Sequence, residues 1–258
     1  LDSVTTPGFG DDDVAGAAAP LTDGWTRYTF PRGPRPGVML HLLLETVGNG
    51  AELELACERL LARFGLDAGW QVPLADWMRD VLETPLSRAG VSLSEVTQSC
   101  HELEFHFPLE TTGASAITAL CAEYGYLAHS ELGRESLFGA MTGTIDRVFE
   151  HEGRFFLGDY KSNHLGNGPE AYHRDALAEA ITGHHYDLQY LVYTVALDRH
   201  LRWTVPGYSY GEHFGGAAYL FLRGMHADTV DSGVFWDTPP EALVQRLDRL
   251  LSGGDASK

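Results

Sequence analysis

Residues 142–163, TGTIDRVFEHEGRFFLGDYKSN, decide how this chain is read. Valine and aromatic residues crowd two arms, and a polar break, His151-Glu152-Gly153, parts them, which is the pattern of a β-hairpin. With a two-residue turn at Glu152-Gly153, His151 faces Arg154, and counting outward brings Asp146 opposite Asp159. Opposed residues share a face with Cβ atoms about 4.5–5.5 Å apart. Lys161, two residues past Asp159, joins them there. A turn one residue longer shifts the register and separates the three. Two carboxylates this close repel unless a cation lies between them, and a divalent metal ion is the economical explanation.

Upstream of the hairpin the pattern is mostly helical. Residues 1–24, with the acid run Asp11-Asp12-Asp13 and small residues from Ala15 to Pro20, read as a flexible leader joined to an upstream region. Residues 25–30 suit a short strand, and PRGPRPG (31–37) a stiff turn that becomes helical only at its end. Residues 38–47 form a helix with Leu40, Leu43, Leu44 and Val47 on its apolar stripe. His41 sits beside that stripe with Glu45 four residues on; alone, it is either a packed histidine or a ligand. Residues 51–64, ending at Gly65, and 74–83 give two more amphipathic helices. Residues 100–108 alternate as a strand, with Leu103, Phe105 and Phe107 on one side and Glu102, Glu104 and His106 on the other. Those glutamates are either a wet strand face or the border of the hairpin's site. A modest helix follows at 114–126.

Downstream, Ser162, Asn163, Gly166 and Gly168 mark a loop, followed by helices at 170–181 and 186–201. On the second, Gln189 and Tyr193 stand at i,i+4, an ordinary polar edge unless the site lies beside them. FGGAAYLFLR (214–223) has the unbroken apolar character of a strand buried on both faces, and 241–251 is a last helix.

The composition sets limits. The 258 residues are 44% hydrophobic, enough for a sizeable core, and no apolar run reaches the ~18 residues that span a membrane. No secretory signal is visible. Three scattered cysteines, Cys57, Cys100 and Cys121, fit reduced thiols in a cytoplasmic protein and show no zinc or iron–sulfur spacing. Thirty-six acids against 18 bases give a net charge of −18, which opposes non-specific binding to phosphate backbones. A nucleic acid substrate would need delivery by something else, or a local basic patch and a metal ion. The chemistry itself suits one. Carboxylate-held metal ions and a nearby lysine supply charge neutralisation and an activated water for phosphodiester hydrolysis.

Five blocks carry a resemblance: PRGPRPGVMLHLLLE (31–45), GTIDRVF (143–149) with GDYKSNHLG (158–166), HHYDLQYLVYTVALDRHLR (184–202) and HFGGAAYLFLRGM (213–225). Together they resemble the RecB-type C-terminal nuclease domains of bacterial exodeoxyribonuclease V, within the PD-(D/E)XK nuclease superfamily. The resemblance implies an α/β fold with a restriction-endonuclease-like core: a central mixed β-sheet flanked by helices, with extra N-terminal helices, forming one nuclease domain over residues 25–258. It implies His41, Asp146, Asp159 and the Tyr160 carbonyl as metal ligands, Lys161 as the catalytic lysine, Glu102 (or, less closely, Glu104) as a further active-site acid, and Gln189 and Tyr193 on a helix beside the DNA. The implied cofactor is Mg²⁺, with Mn²⁺ tolerated, Ca²⁺ inhibitory and no iron–sulfur cluster. The implied activity is metal-dependent cleavage, mainly of single-stranded DNA, in double-strand break repair and recombination. The implied partners are DNA, RecC- and RecD-type subunits, RecA and an upstream helicase region of the same chain, with no membrane. His164 departs from the family, which commonly has a bulky aromatic there; the loop is expected to change and the chemistry to stay.

Overall fold

Period-two strands and 3.6-period helices assemble into a sheet covered on both faces in the computed structural model, which describes residues 3–5, 24–127 and 136–254. In chain order, a short strand β1 (Ser3–Thr5) is followed by three helices: α1 (Pro34–Val47), α2 (Leu53–Phe64) and α3 (Gln71–Glu83). Then come β2 (Gln98–Gly113), α4 (Ala114–Glu123), β3 (Ser136–His151) and β4 (Arg154–Lys161). The chain continues through α5 (Arg174–Gly183), α6 (Tyr186–Thr204), α7 (Tyr210–His213), β5 (Phe214–Phe221), β6 (Val234–Asp237) and α8 (Glu241–Leu251).

Three local expectations are corrected. Residues 25–30 turn rather than extend, because Thr26 and Thr29 bond each other's backbone and side chains and Phe30 N–H closes onto Thr26 O. Helix α1 begins inside the proline-rich segment, at Pro34; a proline in the first turn lacks only an N–H that has no helical partner. Ser3–Thr5, assigned to the leader, pair as a strand with β3, while the acid run and small-residue stretch lie outside the described residues.

The hairpin has the expected two-residue turn. His151 is opposite Arg154, and Glu152 and Gly153 both take positive φ (50° and 78°), as a type I′ turn requires. β4 then pairs parallel with β5, and β5 antiparallel with β6. β2 runs antiparallel along β3 from Gly113–Ser136 to Gln98–Glu150. Since β1 also pairs with β3 at residues 140–142 and β4 at 147–151, both must occupy the edge opposite β2. Between them, β3 residues 143–146 pair with no strand on that edge among the described residues, and Asp146 lies one step before the β4 ladder.

Two cores sandwich the sheet. Phe149, Phe156, Tyr160, Ala218 and Leu220 pack under α1–α3. Ile145, Val148, Leu157, Tyr219 and Phe221 pack under α4, α5, α6 and α8. Each fully buried Leu, Phe or Met contributes about 1.5–3 kcal/mol. Two buried arginines fasten the layers. Arg147 donates to Gly48 O and Leu93 O, both at 3.2 Å, and Arg223 donates to Ser162 O (3.0 Å), Phe30 O (3.2 Å) and Pro31 O (3.1 Å).

Candidate active site

The β3–β4 ladder stops at Arg147–Gly158, one step short of the two aspartates. Beyond it β4 pairs, among the described residues, only with β5, and the β3-facing edge of Tyr160 takes another partner. Asp146 supplies it: its Oδ2 accepts the Tyr160 N–H at 2.7 Å. The N–H and C=O of an extended residue leave the strand on the same edge, so the Tyr160 carbonyl is directed to the same side as Asp146. From α1, His41 Nδ1 lies 3.3 Å from Asp146 Oδ2, and its ring meets the Tyr160 ring edge-on at 5.8 Å.

The plain count of two that put both aspartates on one face is corrected here. Ile145 and Val148 both enter the core under α6, while Arg147 and Phe149 between and beyond them turn to the α1–α3 layer. The pleat is therefore broken at Asp146. Across from it on β2, between the paired His101–Arg147 and Leu103–Ile145, stands Glu102 with φ 51°, a left-handed conformation that a glutamate in mid-strand adopts at a cost. Asp146 consequently turns toward His41, and Asp159 and Lys161 stay on the α6 face.

There Lys161 is buried in a polar nest. Its Nζ lies 2.6 Å from Asp159 Oδ2 and donates to Gln189 Oε1 at 3.0 Å. The ammonium also sits 4.0 Å from the Tyr186 ring centroid and 5.0 Å from that of Tyr219. Gln189 Oε1 also accepts the Tyr219 hydroxyl (2.9 Å), and its Nε2 donates to the Tyr193 hydroxyl (3.0 Å). Gln189 and Tyr193 are 8% and 5% exposed, so they support Lys161 from below. Tyr186 and Tyr219 were missed by sequence reasoning. The alternation of β4 and β5 could have flagged Tyr219, which pairs with Asp159, but only once the strand order is known.

A cleft of about 420 Å³ opens over this arrangement, lined by Val38, His41, Glu45, Glu102, Asp146 and Lys161 among others. Glu102 faces the cleft and Glu104 does not line it, which separates the two glutamates the sequence left open. Glu45, noted only as a neighbour of His41, lines it as well.

The charges perturb one another. Burial alone would lower His41, but the Asp146 carboxylate and then Asp159 raise it to about 9. Burial would raise Asp146; the His41 imidazolium, the Tyr160 N–H and Lys161 outweigh it and hold the carboxyl low. Burial pushes Asp159 up to about 6, with Asp146 adding to it and Lys161 opposing. Lys161 keeps a raised value because Asp159 more than offsets its own burial. Burial, then Asp146 and Glu45, raise Glu102.

Among the described residues no three His, Cys, Asp or Glu side chains form a ready-made metal cage. Two of the expected ligands nonetheless converge. Cis ligands bound at about 2.1 Å in an octahedral shell lie about 3 Å apart, close to the His41–Asp146 separation of 3.3 Å. Asp159 Oδ2 is buried and lies 2.6 Å from the Lys161 ammonium, beside this pair. The donor set therefore fits a divalent ion. Among the described residues no helix is long and apolar enough to cross a membrane.

Residues 23–254 match a family model described as the PD-(D/E)XK nuclease superfamily. The chain is 38% identical over 250 residues to the RecBCD enzyme subunit RecB of Escherichia coli K12, covering 94% of this chain and 21% of that protein. The corresponding figures are 36%, 86% and 19% for the Haemophilus influenzae subunit of the same name. For that of Mycobacterium tuberculosis they are 32%, 97% and 26%. The chain thus spans about a fifth to a quarter of the length of these relatives.

Proposed function

The chain belongs to the PD-(D/E)XK nuclease superfamily, and from that premise we propose that it is the DNA-hydrolysing domain of a RecBCD-type helicase-nuclease. The observation that carries the proposal is the convergence of His41, Asp146, Glu102 and Lys161 on one cleft, with Asp159 paired to Lys161 beneath it. His41, Asp146, Asp159 and the Tyr160 carbonyl would hold a divalent ion, Mg²⁺ or Mn²⁺. When bound, that ion neutralises charge on the phosphate and lowers the pKa of water. Imidazole is a common ligand for Mn²⁺ and an unusual one for Mg²⁺.

The side chains divide the remaining work. Lys161, with its raised pKa and its fixed bed of Asp159, Gln189 and two rings, stays an ammonium. It therefore stabilises the charged phosphate and orients water without taking its proton. Glu102 is held toward neutrality by burial and by neighbouring carboxylates, so it is the group suited to exchange a proton in the cleft. Gln189, Tyr193 and Tyr219 fix the lysine's direction.

In the parent assembly the substrate is single-stranded DNA delivered by a helicase region of the same chain, with RecC- and RecD-type subunits and RecA as partners, in the cytoplasm. Delivery by a motor suits a domain of net charge −18, since weak intrinsic affinity limits stray cutting.

The test is cleavage of end-labelled single- and double-stranded DNA by wild type and Asp146→Asn, in EDTA, Mg²⁺, Mn²⁺ or Ca²⁺. Asparagine keeps an acceptor for the Tyr160 N–H and loses the charge. Cleavage with Mg²⁺ and Mn²⁺ only, faster on single strands and lower by at least about a thousandfold in Asp146→Asn, is expected. Full activity in EDTA, or in Asp146→Asn, would sink the proposal.

A further inference from the structure

We infer that a second cleft, beyond the ends of β4 and β5, is a subsite for single-stranded DNA flanking the cut phosphate; this rests on the nuclease reading above. A chain with twice as many acids as bases needs a place where that balance reverses if it is to hold a polyanion. A cavity of about 620 Å³ provides one. Arg88, from the segment between α3 and β2, and Arg174, the first residue of α5, both line it, and both are exposed. Its one carboxylate among the described residues, Asp231, is already engaged by the Ser87 N–H and hydroxyl and by the Trp236 indole N–H. The half-buried rings of Phe235 and Trp236 add aromatic surface, and the Arg88 guanidinium lies 6.0 Å from the Trp236 ring. Cations with flat rings between them are what a single strand requires: charge for phosphates and faces for bases.

The cleft is joined to the active site by short connections. Tyr172, one of its walls, donates its hydroxyl to Asn163 O (3.3 Å) and accepts the Leu165 N–H (3.1 Å). Asn163 is two residues past Lys161, so no more than about 7 Å along the chain. On the other strand, Gly224 in the cleft wall is three residues past Phe221, the β5 partner of Lys161. Arg223 binds the two exits together through Ser162 O. Arg32, 2.8 Å from His164 Nε2, places another cation on the same loop. An acidic peptide would match the charges and leave the rings unused.

The test compares the chain with its Arg88→Gln/Arg174→Gln variant. Binding of a twenty-nucleotide oligothymidylate is followed by fluorescence anisotropy in Ca²⁺ across a salt series. Turnover of thymidine 5′-p-nitrophenyl phosphate, too small to reach the cleft, is followed in Mg²⁺. The variant should bind the oligonucleotide about tenfold more weakly, with a log–log salt slope flatter by about 1.4 for two lost phosphate contacts, and turn over the small ester at the wild-type rate. Arg174→Lys should restore most of the binding that Arg174→Gln loses. Arg174→Glu, at an exposed position, carries the test alone should the double variant melt early. Wild-type affinity and slope in a folded variant would overturn the inference, as would polyglutamate competing as well as oligothymidylate. Failure of the wild type to cleave anything, with oligonucleotide affinity still lost in the variant, would reject the nuclease reading and leave the cleft standing.

Discussion

Replacing Gln189 by leucine removes, at nearly constant volume, the acceptor on which Lys161 and Tyr219 converge. The change deletes a bond from an ammonium (3.0 Å), one from the Tyr219 hydroxyl (2.9 Å) and one to the Tyr193 hydroxyl (3.0 Å). A hydrogen bond to a charged group contributes about 1.5–3 kcal/mol and a neutral one about 1 kcal/mol. Lys161 keeps Asp159 and its two rings, whereas both tyrosines are buried and have little access to water. The expected loss is about 3–5 kcal/mol, or a fall in Tm of about 6–20 °C for a domain of this size. The catalytic effect should be separate: kcat falls about ten- to a hundredfold as the ammonium loses its fixed direction, and KM changes little. Urea and thermal unfolding measure the first, and steady-state cleavage of a single-stranded oligonucleotide the second. A Gln189→Leu protein that melts within about 2 °C of wild type and keeps its kcat would refute the role given to this network.

Other expectations follow from the same geometry. Arg223→Met strands the carbonyls of Phe30, Pro31 and Ser162 that a buried guanidinium now serves, and should cost at least about 3 kcal/mol in urea unfolding. Faster hydrogen exchange around residues 26–30 should accompany it. Glu102→Gly removes a left-handed glutamate from mid-strand, which relieves about 1 kcal/mol of strain. Its Tm should rise by about 2–4 °C while cleavage falls; an unchanged cleavage rate would remove Glu102 from the chemistry. Burial first, and then Arg27, hold His226 below its ordinary value against Asp80 and Asp228. The folded state thus binds this proton less readily than the unfolded chain. The resulting stability is full above about pH 6.5 and is lost as pH falls from there through the folded value. His226→Gln should flatten that limb of the pH–stability profile, and an unaltered limb would assign it to other groups.

How far the sequence reached depends on whether a signal was local. Hairpin, turn and register were legible because Glu152-Gly153 sits between two aromatic arms, and period two then fixes the opposed pairs from His151–Arg154 to Arg147–Gly158. The stripe of α1, the amphipathic pattern of α2 and the doubly buried β5 were legible because burial on a regular element has a period or an unbroken run. The α/β class was what the family resemblance implied, and the sheet covered by helices on both faces agrees with it. Where side chains compete with the backbone, as Thr26 and Thr29 do, or where proline enters a first helical turn, the local signal misled. The candidate site divides the same way. Asp146, Asp159 and Lys161 came from counting along two strands, whereas His41, Glu102 and Gln189 took their places only from the family resemblance and from packing.

Sequence by itself determined which residues carry charge on which strand, and that the chain as a whole repels phosphate. Tertiary structure decided the rest. It broke the pleat at Asp146 and brought α1 over one side and α6 under the other. The physical reason is that a strand's periodicity is a property of neighbours in the chain. The direction in which a carboxylate finally points is set by the nearest unsatisfied donor, here the Tyr160 N–H and His41 for Asp146 and the Lys161 ammonium for Asp159, and those partners come together only when the layers pack.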